Sequence, residues 1–282
     1  MTVQLLGVRG STPAPGRQFV DVGGHTSCVA VHPATEDDPW LVLDGGTGFR
    51  NLAGLLGDTP LHAQIVLTHL HWDHVQGLPF LRQSDRDDAQ ITLWIPSGDG
   101  DGDEDALERL AGGFSPPHFP IRPDQLRGHW SFRALDPGDR AIGSRTVSAA
   151  EVEHKGGRTM GLRVEDGGRS FAYIPDHAVS TAPVEQLLHA DRLAADVDVL
   201  FHGAPYLAAE QDTATHFGHS TVRDAVDVAV RNAVGRLVLV HHAPNRSDDQ
   251  FEQVLTEAQD HVRSLGSDLH VEIGRELAVH TI

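Results

Sequence analysis

Thr68-His69-Leu70-His71-Trp72-Asp73-His74, set directly behind the apolar run Ile65-Val66-Leu67, constrains this chain more than any other stretch. Such a run reads as a buried strand over 65–68, and side chains at period two beyond its end point to one side, so His69 and His71 can share one metal ion. The chain must bend next. The bend aims the Asp73 carboxylate and the His74 imidazole at a point beside the first ion, where a second ion would sit. Neutral imidazole and carboxylate are ordinary zinc ligands outside thiolate sites. Even with 19 His in 282 residues, composition alone produces such a string on the order of one time in a hundred. The spacing is not H-E-x-x-H on a helix, so a zincin protease is not implied.

Around this stretch the sequence reads as strands that end in short polar loops. Strands are expected over 3–8, 27–31, 40–43, 91–95, 130–135, 146–153, 160–165, 170–174, 197–201, 237–240, 269–273 and 276–280. Helices are expected over 49–56, after Ser220 up to Gly235, and over 248–265. Asp44, His154, Asp176 and His241 all stand at strand tips, and His219 precedes a helix. By residue type alone each could equally be a turn, surface or packing residue. Ser220 is the expected helix N-cap, and a helix N-terminus attracts anions such as phosphate.

The motif T-H-L-H-W-D-H, with D-G-G-T-G at Asp44 and Y-I-P-D at Asp176, resembles the signature of the metallo-β-lactamase-fold hydrolases. That resemblance implies an α/β fold, a four-layer αββα sandwich formed as a single domain over 1–282, with metal ions at the edge of its two sheets. It implies His69, His71 and His154 on one ion, Asp73, His74 and His241 on the other, and Asp176 shared, with Asp44 orienting a ligand. Two divalent ions are expected, zinc first, with Mn2+ or Fe2+ as alternatives, and a bridging hydroxide as nucleophile. His242 is left to line the pocket.

The stretches G-H-S-T at 218–221, G-V-R-G-S-T-P, G-G-H-T-S-C and P-P-H-F-P are similar to the phosphodiesterase branch of that family. That branch includes tRNase Z, PhnP-type cyclic phosphodiesterases and cyclic-nucleotide phosphodiesterases. There the residue matched by His219 donates a proton to the leaving oxygen or steadies the phosphate, so His219 and Asp73 stand as the catalytic pair. Two positions depart from the pattern: His25 stands where relatives commonly carry Asn, and Gly203 where many carry Asp. The competing classes are acyl, thioester or lactam hydrolysis, a non-hydrolytic PqqB-like role in cofactor biosynthesis, and flavodiiron electron transfer.

The bulk chemistry narrows the substrate. A formal charge of −18, from 40 acidic against 22 basic residues, repels long nucleic acids, whose binding rests on many basic contacts. A small, even cyclic, phosphodiester is the expected substrate, and a homodimer the expected assembly. No apolar stretch reaches the roughly 18 residues of a membrane span, and the N-terminus lacks a basic leader, so a cytoplasmic enzyme is expected. Cys28 alone excludes an internal disulfide and a Cys-rich zinc site. The acidic run 97–105 lacks the glutamate of a calcium loop and is expected to be a solvated loop. The segment 115–120, Ser-Pro-Pro-His-Phe-Pro, is either a lid or a plain connector.

Overall fold

A computed structural model describes residues 1–35, 38–98 and 102–282. Alternation along the first strands sets the layers. In β1 (Thr2–Gly7), Val3 and Leu5 enter one core while Leu6 enters another, and in β3 (Trp40–Leu43), Leu41 and Leu43 face the first core while Val42 faces the second. A sheet with apolar residues on both faces must be covered on both. Together with β2 (Cys28–Val31), β4 (His62–Val66), β5 (Gln90–Pro96), β6 (His129–Leu135) and β14 (Val279–Thr281), these strands form a seven-stranded sheet ordered β14-β1-β2-β3-β4-β5-β6.

The second sheet runs β13-β12-β11-β10-β9-β8-β7. Its strands are β7 (Gly138–Ile142), β8 (Arg145–Val152), β9 (Thr159–Asp166), β10 (Arg169–Ile174), β11 (Val199–Gly203), β12 (Arg236–Val240) and β13 (His270–Ile273). The shared core between the sheets takes Val29, Val31 and Val66 from one and Val147, Leu162, Val164 and Tyr173 from the other. Two short helices, α1 (Leu52–Leu56) and α2 (Trp72–Val75), and the longer α3 (Asp103–Gly113) accompany the first sheet, where Leu52, Leu56, Ala106 and Leu110 fill the second core. On the second sheet lie α4 (Val184–Ala194), α6 (Val222–Arg231) and α7 (Phe251–Ser264), with the short α5 (Gln211–Phe217) leading to α6. The result is the expected αββα sandwich.

Both sheets are half antiparallel and half parallel. β3 to β6 pair in parallel, as do β10 to β13. Parallel strands deliver their C-terminal loops to one edge, where ligands of open α/β sheets are bound. The loops after β1, β3, β4, β8, β10 and β12 carry Ser11, Asp44, the histidine motif, His154, Asp176 and His241 to that edge.

Several expectations are corrected. The motif strand spans His62–Val66 rather than 65–68, so His69 sits in a loop and His71 is the residue before α2. Thr221, not Ser220, caps α6: its hydroxyl accepts from the Asp224 amide, while the Asp224 carboxylate accepts from the Thr221 amide. The Ser220 hydroxyl donates instead to the His177 carbonyl. β7, α2, α3, α4 and α5 lie outside the expected elements. β7 is an edge strand with only Ile142 buried, and α5 buries only Ala214, so neither leaves an apolar rhythm in the sequence. In the acidic run, Asp103–Asp105 form the first turn of α3, and Asp103 pairs with Arg133 at 2.6 Å; Asp99, Gly100 and Asp101 lie outside the described residues.

Candidate metal centre

The seven residues expected to hold metal converge at the sheet edge. The ring nitrogens and carboxylate oxygens of His69, His71 and His154 lie within 4.8 Å of one another, as do those of Asp73, His74 and His241, and of His69, His74 and Asp176. Asp176 stands between the groups, 3.1 Å from His74 Nε2, 3.3 Å from His241 Nε2 and 3.5 Å from His154 Nε2. His219 joins them, its Nδ1 3.5 Å from Asp176 Oδ1.

Hydrogen bonds behind the cluster fix the tautomers. A carboxylate or carbonyl oxygen only accepts, so the ring nitrogen facing it carries the proton and the other keeps a lone pair. His74 Nδ1 donates to Asp44 at 2.7 Å and His154 Nδ1 donates to the Gly218 carbonyl at 2.6 Å. Thr68 Oγ1 gives its own proton to Asp44, so it accepts from His69 Nδ1 at 3.0 Å. The three Nε2 lone pairs are thereby turned inward. This is the usual support of metal-binding histidines.

Asp44 is the hub of that support. It accepts from the Thr68 amide at 2.8 Å, from the Tyr173 hydroxyl at 3.0 Å and from His74. Asp44, Ser11 and His241 all hold positive φ, at 61°, 63° and 54°, a conformation that costs a non-glycine residue roughly 1–2 kcal/mol. All three serve the cluster, since the Ser11 amide donates to Asp73 at 2.6 Å. Asp44→Ala is expected to weaken divalent-cation binding about 10- to 100-fold, measured by competition with a chelator. Undiminished affinity would show that His74 does not depend on Asp44.

The donor set fits cations. His69 Nε2 and Asp176 Oδ2 are buried without a hydrogen-bond partner. His74 Nε2 and His241 Nε2 face each other at 3.3 Å, as do His154 Nε2 and His71 Nδ1. At that distance either a ring proton or a cation must lie between each facing pair. The charge balance says the same: against the cost of burial, Asp44, Asp73 and Asp176 hold His74 well above the usual histidine range. Burial and the neighbouring imidazoles hold His69 well below it. Asp176 and Asp73 stay far below the usual carboxylate range; burial opposes this, and His241 and His74 overcome it. His219 is pushed down to about 3 by burial, which His241 and His154 reinforce against Asp176.

Two histidines left open by the sequence lie elsewhere. His242 does not line the pocket: its Nε2 donates to the Gly274 carbonyl at 2.8 Å and its ring packs on Phe251. His25 borders a separate cavity of about 410 Å³ with Pro13, Phe19 and Glu276. At Gly203 a Cβ would stand 1.7 Å from the Pro175 carbonyl oxygen, so this backbone has no room for the aspartate of relatives. Thr68, Tyr173 and Arg9 lie inside the motifs, but their side chains carried no expected role. Arg9 is fully buried and donates to the carbonyls of Gly23, Ala243 and Arg246, tying the first loop to the one that carries His241. Only its place inside G-V-R-G pointed to it.

A cluster of buried imidazoles and carboxylates at the edge of two facing sheets defines a metal-dependent hydrolase of the metallo-β-lactamase fold. The chain belongs to the beta-lactamase superfamily domain family, whose model matches residues 39–242, and its relatives place it in the phosphodiesterase branch. Over 306 aligned positions it is 26% identical to a ribonuclease Z of Haloarcula marismortui, covering 92% of this chain and 91% of that one. Among solved structures, human tRNase Z, short form, matches with a TM-score of 0.64 at 22% identity, over 100% of this chain and 99% of that one. Zn2+-bound PqqB from Methylobacterium extorquens matches with a TM-score of 0.72 at 18% identity, over the whole of both chains. Among the described residues, no helix is long and apolar enough to cross a membrane.

Proposed function

We propose that this chain is a dinuclear metal-dependent phosphodiesterase acting on a small phosphodiester. His69, His71 and His154 would hold one divalent ion and Asp73, His74 and His241 the other, with Asp176 within reach of both groups. Zinc suits these nitrogen and oxygen donors, and the PqqB neighbour carries it. When bound, such ions lower the pKa of water and polarise a phosphoryl oxygen. The chain's own residues do the rest. The inward Nε2 atoms and Asp176 fix where the cations would sit. The Ser11 amide holds the Asp73 carboxylate in place.

The observation that carries the phosphodiesterase reading is His219. It stands beside Asp176 on the loop leading into α6, outside the seven residues assigned to the two ions. With its titration pushed down to about 3, the ring is neutral near pH 7, and adjacent cations only reinforce that state. It therefore steadies a phosphoryl oxygen through its N–H rather than entering as an imidazolium. Beside His69 and His71 lies a cavity of about 220 Å³ bordered by Arg109 and by Arg158, which pairs with Glu151 at 3.1 Å.

The relatives named ribonuclease Z favour a second reading, an RNA substrate. Two observations favour the small one. The net charge is −18, and the 306 aligned positions exceed this chain's 282 residues, so the relative carries segments with no counterpart here. A single domain, cytoplasmic location and a homodimer belong to the same proposal. The purified protein is expected to hydrolyse bis-p-nitrophenyl phosphate in a metal-dependent manner, and to spare a chromogenic lactam and a glutathione thioester. Faster turnover of the thioester would overturn the phosphodiesterase reading, and efficient cleavage of a precursor tRNA would move the substrate to RNA.

A further inference from the structure

Ser220 has no part in the proposed chemistry, yet it follows His219 and is fully buried. A serine at this place reads as a helix cap, but Thr221 caps α6 through Asp224. The Ser220 hydroxyl is left to other partners. Oγ donates to the His177 carbonyl at 2.5 Å and accepts from the Val179 amide at 3.4 Å. Both belong to the loop that carries Asp176.

On the other side of His219, the Gly218 carbonyl accepts from His154 Nδ1 at 2.6 Å. Gly218 holds φ at 76°, and a Cβ there would stand 2.6 Å from Lys155 Cβ, so the chain passes too close to the loop after β8 for a side chain. His219 is therefore flanked by two hydrogen bonds to two loops, each carrying a member of the metal cluster. The Gly218 arm holds the peptide before the ring, and the Ser220 arm holds the one after it. The anchor of the second arm is itself fixed. His202 Nδ1 donates to the Gly203 carbonyl, so its Nε2 accepts from the buried His177 ring at 3.2 Å. A donor to a phosphoryl oxygen works only when it is aimed in advance.

We propose that Ser220 is the positioning residue of His219: by fastening the peptide after the ring to the Asp176 loop, its hydroxyl sets where the imidazole N–H meets the substrate. The proposal rests on His219 as a donor to the phosphodiester, and two measurements separate their fates. In the first, zinc-loaded protein labelled at histidine is followed by nuclear magnetic resonance, with His219→Ala identifying the His219 ring signals. Ser220→Ala is expected to move those signals with the metal content unchanged. Unmoved signals overturn the proposal whatever the enzyme hydrolyses, and so does loss of metal, which would show that the hydroxyl serves Asp176 instead. In the second, kinetics on bis-p-nitrophenyl phosphate are measured with His219 present and with His219→Ala. Ser220→Ala is expected to lower kcat about 10- to 100-fold with KM within about twofold, the cost of a misplaced group. Once His219 is replaced, the same change is expected to lower kcat less than about twofold further, because residues that act as one unit are not additive. Equal losses in the two backgrounds would show that Ser220 acts on the fold or the metals and overturn the proposal. Ser220→Cys keeps the size with a much weaker donor; it is expected to fall with Ser220→Ala, and it carries both measurements if the alanine variant does not fold. A cysteine variant as active as wild type would assign the effect to packing and overturn the proposal. If no diester is turned over, the phosphodiesterase reading falls and the resonance measurement decides the role of Ser220.

Discussion

Asp176→Ala is expected to remove at least one of two divalent ions per chain and to lower kcat/KM on bis-p-nitrophenyl phosphate by about a thousandfold or more, since metal-ion catalysis supplies several kcal/mol and each 1.4 kcal/mol is a factor of ten. The carboxylate is 1% exposed and lies within 3.5 Å of His74, His154, His219 and His241, and so touches members of both groups. Truncation leaves four imidazoles without the negative charge that unites the two groups. Asp176→Asn keeps the shape and removes the charge, which separates a packing defect from a loss of binding. Elemental analysis of the purified variants beside their activity checks the result. An Asp176→Ala protein with full metal content and more than about a tenth of the activity would show that Asp176 does not bridge.

The motif at 69–74 was legible because its chemistry is local: four donor side chains within six residues leave few other uses. His154, Asp176 and His241 were legible only through resemblance, because single residues at strand tips carry no periodic signal and reach the motif only when the two sheets close on each other. Thr68 and Tyr173 escaped notice for a related reason. Their hydroxyls matter through Asp44, and a β10 tyrosine bonded to an aspartate after β3 joins positions 129 residues apart. The individual strands followed from apolar runs, the four-layer sandwich only from the resemblance, and α4 and α5 bury too few residues to show a helical stripe. His177 and His202 form a buried pair 3.2 Å apart that joins positions 25 residues apart and leaves no local signal.

His219→Ala is expected to keep both ions and yet lose about 10²- to 10³-fold in kcat on phosphodiesters, the scale of one lost transition-state hydrogen-bond donor. The outcome is not trivial, because His219, His154 and Asp176 also lie close enough together to share an ion. Metal content decides between the roles: a donor to phosphate leaves it unchanged, and a ligand does not. A second discriminator is pH. Burial, with His241 and His154, pushes His219 down to about 3, so the neutral ring is the form expected near pH 7. A neutral donor instead predicts that kcat/KM of wild type and His219→Ala follow the same pH profile between about 5 and 9, displaced by a constant factor. His219→Gln, which keeps an N–H donor without a titrating ring, should recover part of the loss. A profile that changes shape on removal of His219, or a glutamine no better than alanine, would return the proton-donating role to this residue. Full activity of His219→Ala on every phosphodiester tested would remove the residue from the reaction and, with it, the main support for the substrate class.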